Sequence, residues 1–268
     1  MNGQEKPNAD ADLAKYYGDD FYKNQMDDSL ISAMKYVELL FPLYKPNTVV
    51  DVGCGRGTWL KAFKDRGASV LVGYDGVWNA QVNMIDPSIM FYGVDLNDPI
   101  TVSDSDRFDL AMSLEVAEHL APSSAKSFIQ SLTNLSNVVL FGAAYTKQGG
   151  TNHINEQPHT YWAKIFTEFD YVPYDLFRPV VWGDDEVEFW YQQNTFLYVK
   201  NNSPFTQVLQ SSGHYPIKNI RFLDCVHPAL YESKTRELET KELIHQLFVR
   251  SVPKSLRPFA KKVKGLIS

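Results

Sequence analysis

Cysteine is scarce in this 268-residue chain: only Cys54 and Cys225 occur, too few for a disulfide framework or a cysteine-based zinc site. No apolar run approaches the roughly 20 residues of a membrane-spanning helix. The opening residues, Met1-Asn-Gly-Gln-Glu-Lys-Pro-Asn8, are polar and lack the apolar stretch of a signal peptide, so a cytoplasmic setting is expected. Positive charge is not in surplus either. A net charge of −6 argues against DNA or another polyanion held over a wide surface. No internal repeat is visible. What remains is a chain that is 44% hydrophobic and long enough to bury a full core, as one domain or one domain with an appendage.

What is present is concentrated in Thr48-Val-Val-Asp-Val-Gly-Cys-Gly-Arg-Gly-Thr-Trp59. Thr48 to Val52 is short, apolar and β-branched around Asp51, as expected of a buried parallel strand. Gly53, Gly55 and Gly57 follow at every second position, then the helix-like Trp59-Leu-Lys-Ala-Phe63. A strand, a Gly-rich turn and a helix in that order form the ligand-binding corner of a doubly wound α/β domain. Phosphate loops and NAD sites use similar turns, and the discriminating residue is Asp51. An anionic pyrophosphate does not need a carboxylate there, whereas a ligand carrying an ammonium and a sulfonium favours one.

The D-x-G-x-G-x-G pattern resembles motif I of the class I S-adenosylmethionine (SAM) methyltransferases. The resemblance implies a doubly wound, seven-stranded Rossmann-like sheet, with SAM held by Asp51, Gly53, Gly55, Gly57, Asp75, Gly76, Asp95 and Leu96. Ser69 to Tyr74 reads as a second strand ending at Asp75, where an acid can accept both hydrogen bonds of a ribose diol. Met90 to Val94 reads as a third, ending at Asp95-Leu96, where enzymes of this class hold the adenine edge. Arg107 to Ser113 is a fourth, leading into Leu114-Glu-Val-Ala-Glu-His-Leu120. The plain alternative is an α/β domain whose acids only cap strands and helices.

Three regions are expected. Residues 1–45 comprise a disordered start and a helical region, Ala11 to Leu43, with Leu30, Met34, Val37 and Leu40 on one apolar face; it resembles the lid over SAM in many such enzymes. Residues 46–200 form the methyltransferase core, with a fifth strand at Asn137–Gly142, a polar loop over 143–157, a helix over Pro158–Phe169 and a last strand over Thr195–Lys200. Residues 201–268 are a C-terminal helical extension, loop-like to 228 and helical over 229–250. Its end, Val252 to Ser268, carries Lys254, Arg257, Lys261, Lys262 and Lys264 with no acid, and sets Leu256, Phe259, Val263 and Leu266 on one face. That pattern suits a basic amphipathic helix at the inner membrane surface, a terminal helix docked on its own domain or a dimer partner, or disorder. The sequence does not set an oligomeric state.

Methyl transfer from a sulfonium needs in-line positioning and a nucleophilic acceptor. An alcohol, with a pKa far above 7, needs a general base or a metal that acidifies it. Glu115, Glu118 and His119 stand at i, i+3 and i+4, one face if the segment is helical, and can hold a divalent ion. The alternative is a solvated helix face. Glu-Val-Ala-Glu-His resembles the E-V-x-E-H segment of the ubiquinone-pathway O-methyltransferases and of the enzymes that 2′-O-methylate small-RNA 3′ ends. In the RNA group the two glutamates and the histidine bind a divalent ion with a further histidine from a later loop, and two neighbouring ribose hydroxyls chelate it. The resemblance implies His153 as fourth ligand, with His159 next in line. Histidine ligands are unusual for Mg²⁺ and better suited to Mn²⁺. Without a metal, His153 or His119 becomes the general base, with Glu118 beside it.

In the loop Gly149 to Trp162, Asn155, Glu156 and Gln157 suit sugar hydroxyls, and Tyr161 or Trp162 suits a sugar face. The structural alternative buries Trp162 and Phe166 on a helix that Asn155 caps. The combination of G-G-T-x-H-I-N-E-Q with Trp182-Gly-Asp-Asp185 and Trp190-Tyr-Gln-Gln-Asn194 is similar to bacterial methyltransferases encoded with polysaccharide and secondary-metabolite enzymes. The acidic and aromatic residues 182–194 fit either a carbohydrate acceptor or a surface β-hairpin with inward aromatics. The expected reaction is O-methylation of a sugar hydroxyl on a nucleotide sugar or glycan intermediate, with SAM and Mg²⁺ or Mn²⁺. Alternatives are a small-molecule phenol or amine, an RNA 3′ end, and a SAM-binding subunit without chemistry.

Overall fold

The computed structural model describes residues 19–81 and 84–251. The first 18 residues of the expected lid region and the basic segment 252–268 lie outside the described residues. The chain divides into two compact units, the first ending at Cys225 and the second beginning at Val226.

Runs of aliphatic and β-branched residues set the middle of the first unit. They form β1 (Thr48–Val52), β2 (Val70–Asp75), β3 (Met90–Gly93), β4 (Leu110–Leu114), β5 (Val138–Gly142), β6 (Tyr171–Tyr174) and β7 (Phe196–Lys200). The strands make one seven-stranded sheet in the order β3-β2-β1-β4-β5-β7-β6. β7 runs antiparallel to β5 and β6, and the other pairs are parallel. The order reverses between β1 and β4, so their carboxyl ends flank the crevice where such sheets bind ligands. β6 escapes sequence reading because Pro173 interrupts it, and proline is tolerated there because the strand lies at the sheet edge.

Eight α-helices are described: α1 (Asp19–Leu40), α2 (Thr58–Asp65), α3 (Ala125–Leu135), α4 (His159–Glu168), α5 (Arg178–Val181), α6 (Phe189–Asn194), α7 (Pro204–Ser211) and α8 (Pro228–Ser251). One apolar layer joins α1, α2, α5, α6 and α7 to one sheet face; the other joins α3 and α4 to the opposite face. Strand alternation feeds both, with Val49 and Met112 in the first layer and Val50 and Ala111 in the second. α8 forms the described part of the second unit and carries exposed ion pairs along its length. No helix among the described residues is long and apolar enough to cross a membrane.

Three expectations are corrected. The buried face of α1 is Ala33, Tyr36, Val37 and Leu40, while Met34 is 45% exposed; Ser29 and Ser32, both buried, disguise that face. Residues 201–228 are not loop throughout, because α7 and a 3-10 turn, Ile220–Asp224, lie within them. Residues 182–194 form no hairpin: they turn into α6 and fasten α1. The Lys35 ammonium pairs with Asp184 at 2.9 Å and Glu186 at 2.8 Å. Tyr36 Oη donates to the Tyr191 carbonyl at 2.7 Å, and the Glu188 N–H donates to Ser32 Oγ at 3.2 Å.

The turn after β1 depends on Gly53, which has φ 88° and lies against Val116, so that a Cβ would come within 2.2 Å of Val116 Cγ2. Gly53→Ala is expected to cost about 1–3 kcal/mol from backbone conformation alone, with the steric overlap added. Val116→Ala removes the overlap, so urea denaturation should show the double variant less destabilised than the two single variants summed. Simple additivity would show that the two residues do not press on one another.

Candidate active site

The glycine turn is tied to β2 through backbone and carboxylate. Gly53 N and Cys54 N donate to the Tyr74 carbonyl at 2.7 and 3.2 Å. Asp75 accepts from Gly55 N through Oδ2 and from Gly76 N through Oδ1, each at 2.6 Å, and Asn79 Nδ2 lies 3.4 Å from Oδ2. The expected ribose acid is therefore also the brace of the turn. Burial raises its pKa despite these donors. Asp51 is buried at the end of β1, and desolvation, with the Asp75 charge added, lifts it well above the usual carboxylate range. The Trp78 indole covers the position where Gly76 has no side chain. Asp95 is exposed and accepts from Asn97 N at 2.9 Å, and Leu96 packs against the second apolar layer.

After β4 the expected helix is absent. The chain makes a single 3-10 turn, Ala117–His119, because Glu115 takes φ 55° and Ala121, preceding Pro122, is extended. Glu118 and His119 nevertheless meet His153: one ligand atom from each lies within 4.8 Å of the others. The imidazoles of His119 and His153 meet edge to face at 4.8 Å between centroids. Backbone bonds lock the loop here, with Ile154 N and Asn155 N both donating to the Glu118 carbonyl at 2.9 Å. Gly150 has no side chain where the His153 ring lies; a Cβ there would approach the ring to 2.3 Å.

The Glu118 side chain is fully buried, and its oxygens have no side-chain partner or counter-charge; the Glu118 and Ala144 N–H groups approach them without full hydrogen-bond geometry. Burial, then the charges of Glu115 and Glu156, raise its pKa well above the ordinary value. His119 is pushed down to about 4 by burial and by His153, so its imidazole is neutral near pH 7. Glu156, which sequence reading offers to a sugar, instead holds His153 Nδ1 at 2.9 Å and accepts from Gly149 N at 2.6 Å. That leaves His153 Nε2 for a ligand. A carboxylate without a counter-charge and two oriented imidazoles fit a divalent cation by donor chemistry.

Glu115 does not join this group. Its oxygens accept from Asn194 Nδ2 at 2.8 Å and Gln148 Nε2 at 2.9 Å, and Asn194 Nδ2 also reaches Gln148 Oε1 at 2.9 Å. Burial raises its pKa to about 7 against these donors. Gln148 and Asn194 were not singled out from sequence, since amides 46 residues apart give no local signal of meeting. Asn155 and Gln157 bond each other at 3.0 Å, so they also serve the loop. Trp162 and Phe166 are core. The cap on α4 is Asp224, which accepts from Thr160 N at 3.0 Å and Thr160 Oγ1 at 2.8 Å, not Asn155. His159 is buried between the rings of Tyr145 and Phe196, at 5.0 and 5.1 Å, outside the metal group.

Residues 22–141 match the family model described as "Methyltransferase domain". Among solved structures, a methyltransferase in complex with the Haloferax volcanii Trm112 activator aligns with a TM-score of 0.50 at 18% identity, covering 73% of this chain and 99% of that one. An O-methyltransferase family protein from Burkholderia thailandensis aligns with a TM-score of 0.50 at 14% identity, covering 75% of this chain and 66% of that one. At these identities the likeness is one of fold. No curated protein matches the chain.

His159 supplies a pH prediction. Burial, with the Arg178 charge added, lowers its pKa from 6.5 to about 3. The folded state therefore refuses a proton that the unfolded chain accepts; stability is fully present above pH 6.5 and is lost as pH falls toward 3. In acid melts His159→Phe should lose less stability than the parent over that window. Parallel losses would show that His159 protonates normally in the folded protein.

Proposed function

We propose that the protein is a class I SAM-dependent methyltransferase, a reading supported by the methyltransferase-domain match over residues 22–141 and by the fold, and that it O-methylates a sugar hydroxyl flanked by a second hydroxyl, on a nucleotide sugar or glycan intermediate. A divalent ion held by Glu118, His119 and His153 assists. The observation that carries this reading is the Glu118 carboxylate, buried without a counter-charge or side-chain partner and beside two imidazoles. A buried anion without a counter-charge is costly, and a cation relieves the cost.

In this reading Asp51, Asp75 and the glycine turn bind and orient SAM, whose cationic end suits a corner rich in acids. Asp75 takes the ribose diol and Asp95 with Leu96 the adenine edge. Glu118, His119 and His153 hold the ion, which supplies Lewis acidity that lowers the acceptor's pKa. Glu156 is a positioning residue that fixes the His153 tautomer. Two nitrogen donors and one carboxylate favour Mn²⁺ over Mg²⁺. Three protein donors would leave positions open on an ion, and two adjacent acceptor oxygens would suit them, which supports a vicinal diol and hence a sugar. The acids at 184 and 186 do not add to that support, because they pair with Lys35. Without a metal, His119 is too weak a base near pH 7, and the role passes to His153 acting on a phenol or amine.

Calorimetry on EDTA-stripped protein tests the reading. SAM and S-adenosylhomocysteine should bind, and Mn²⁺ should bind with about one ion per chain. Glu118→Ala and His153→Ala should abolish ion binding and retain SAM, while Glu156→Ala should weaken the ion by about 10–100-fold. Methylation of vicinal diols, and not of isolated alcohols, should then require the ion. Binding of SAM with no ion under any condition would sink the metal site.

A further inference from the structure

Four carboxylates gather around the carboxyl ends of β1, β2 and β4: Asp51, Asp75, Glu115 and Glu118. Among the described residues no Lys or Arg forms an ion pair with any of them. Asp75 and Glu115 accept from neutral N–H groups alone, so their hydrogen bonds position the carboxyl groups without supplying a counter-charge. The Glu118 group accounts for a metal, and Asp51 and Asp75 for the expected donor motif. Glu115 is left without an assignment.

Its place is informative. β1 and β4 are neighbours with Asp51 opposite Met112, so Glu115 follows β4 just beyond the level of the glycine turn. The next residue, Val116, fills the space beside Gly53. Asn194, which donates to Glu115, ends the short helix α6 that also carries Tyr191. The Tyr191 ring in turn lies 5.1 Å from the ring of Trp59, at the start of α2. Glu115 thus stands beside the glycine turn, next to the residue that packs on Gly53.

We infer that Glu115 makes this corner select a cationic donor over its neutral product. The inference rests on the SAM reading of the same corner. Transfer breaks the S–CH₃ bond, returns its electron pair to a sulfur that becomes an uncharged thioether, and forms the O–CH₃ bond as the acceptor's proton passes to solvent. One positive charge disappears from the donor site. A carboxyl group nearby, whose ionised form the arriving cation favours, attracts the sulfonium and gains nothing from the thioether, so the spent molecule is held less tightly. Gln148 and Asn194 are the positioning residues for that charge.

Calorimetry on EDTA-stripped full-length protein separates the outcomes. The parent should bind SAM, and an analogue with an ammonium in place of the sulfonium, about tenfold more tightly than S-adenosylhomocysteine. Glu115→Gln should erase most of that preference by weakening the two cations and sparing S-adenosylhomocysteine. Glu115→Asp, which keeps the charge, should retain it. If Glu115→Gln fails to fold, the parent's ranking of the three ligands still decides: equal or tighter binding of S-adenosylhomocysteine overturns the inference. An unchanged ratio in a folded Glu115→Gln overturns it while leaving the SAM reading intact. An effect seen only after Mn²⁺ is added would make Glu115 an ion ligand and overturn it too. Failure of all three ligands to bind the parent would remove the SAM reading itself.

Discussion

Glu118 joins the two requirements on which the rest of the site depends. Its backbone carbonyl accepts two N–H groups from the loop after β5, which fixes where His153 stands. Its side chain, at the same residue, is buried with no side-chain partner or counter-charge. The burial of that carboxyl group is unfavourable to its ionised form, and the proposed ion would relieve it. Glu156 and Gly150 make sense as parts of this arrangement: one aims the His153 ring, the other leaves room for it.

The same logic extends across the carboxyl edge of the sheet. Asp51, Asp75 and Glu115 have burial-raised pKa values, and the donors around the latter two are neutral backbone or amide groups. A corner so arranged is unfavourable to itself and favourable to a cation. That agrees with the proposed donor, which carries a sulfonium and an ammonium. The expense is carried by two apolar layers that pack the sheet on both faces.

The insert between β6 and β7 has a different task from the one its composition suggests. Its acids meet Lys35, its Tyr191 carbonyl meets Tyr36, and α6 ends at Asn194, which grips Glu115. One short segment therefore touches the N-terminal helix at one end and the acid row at the other. An acidic, aromatic stretch looks the same in sequence whether its charges await a ligand or already have a partner.

What the sequence determined by itself is the donor corner. Its strand, glycines and acids lie within one continuous stretch, and local backbone rules dictate their geometry from φ preference and strand periodicity. The spacing of Glu118 and His119 also survived, although the helix invoked to explain it does not exist, because adjacent residues on any tight turn stay close. Tertiary structure alone decided the rest: that Glu115 faces amides from residues 148 and 194, that Glu156 serves a histidine and not a sugar, that Asp224 caps α4, and that Pro173 lies in an edge strand. Each of these joins side chains or strands whose meeting depends on how loops fold back over the sheet edge. Polar residues in such loops carry no periodicity, so only the packed structure says which of them are already spoken for.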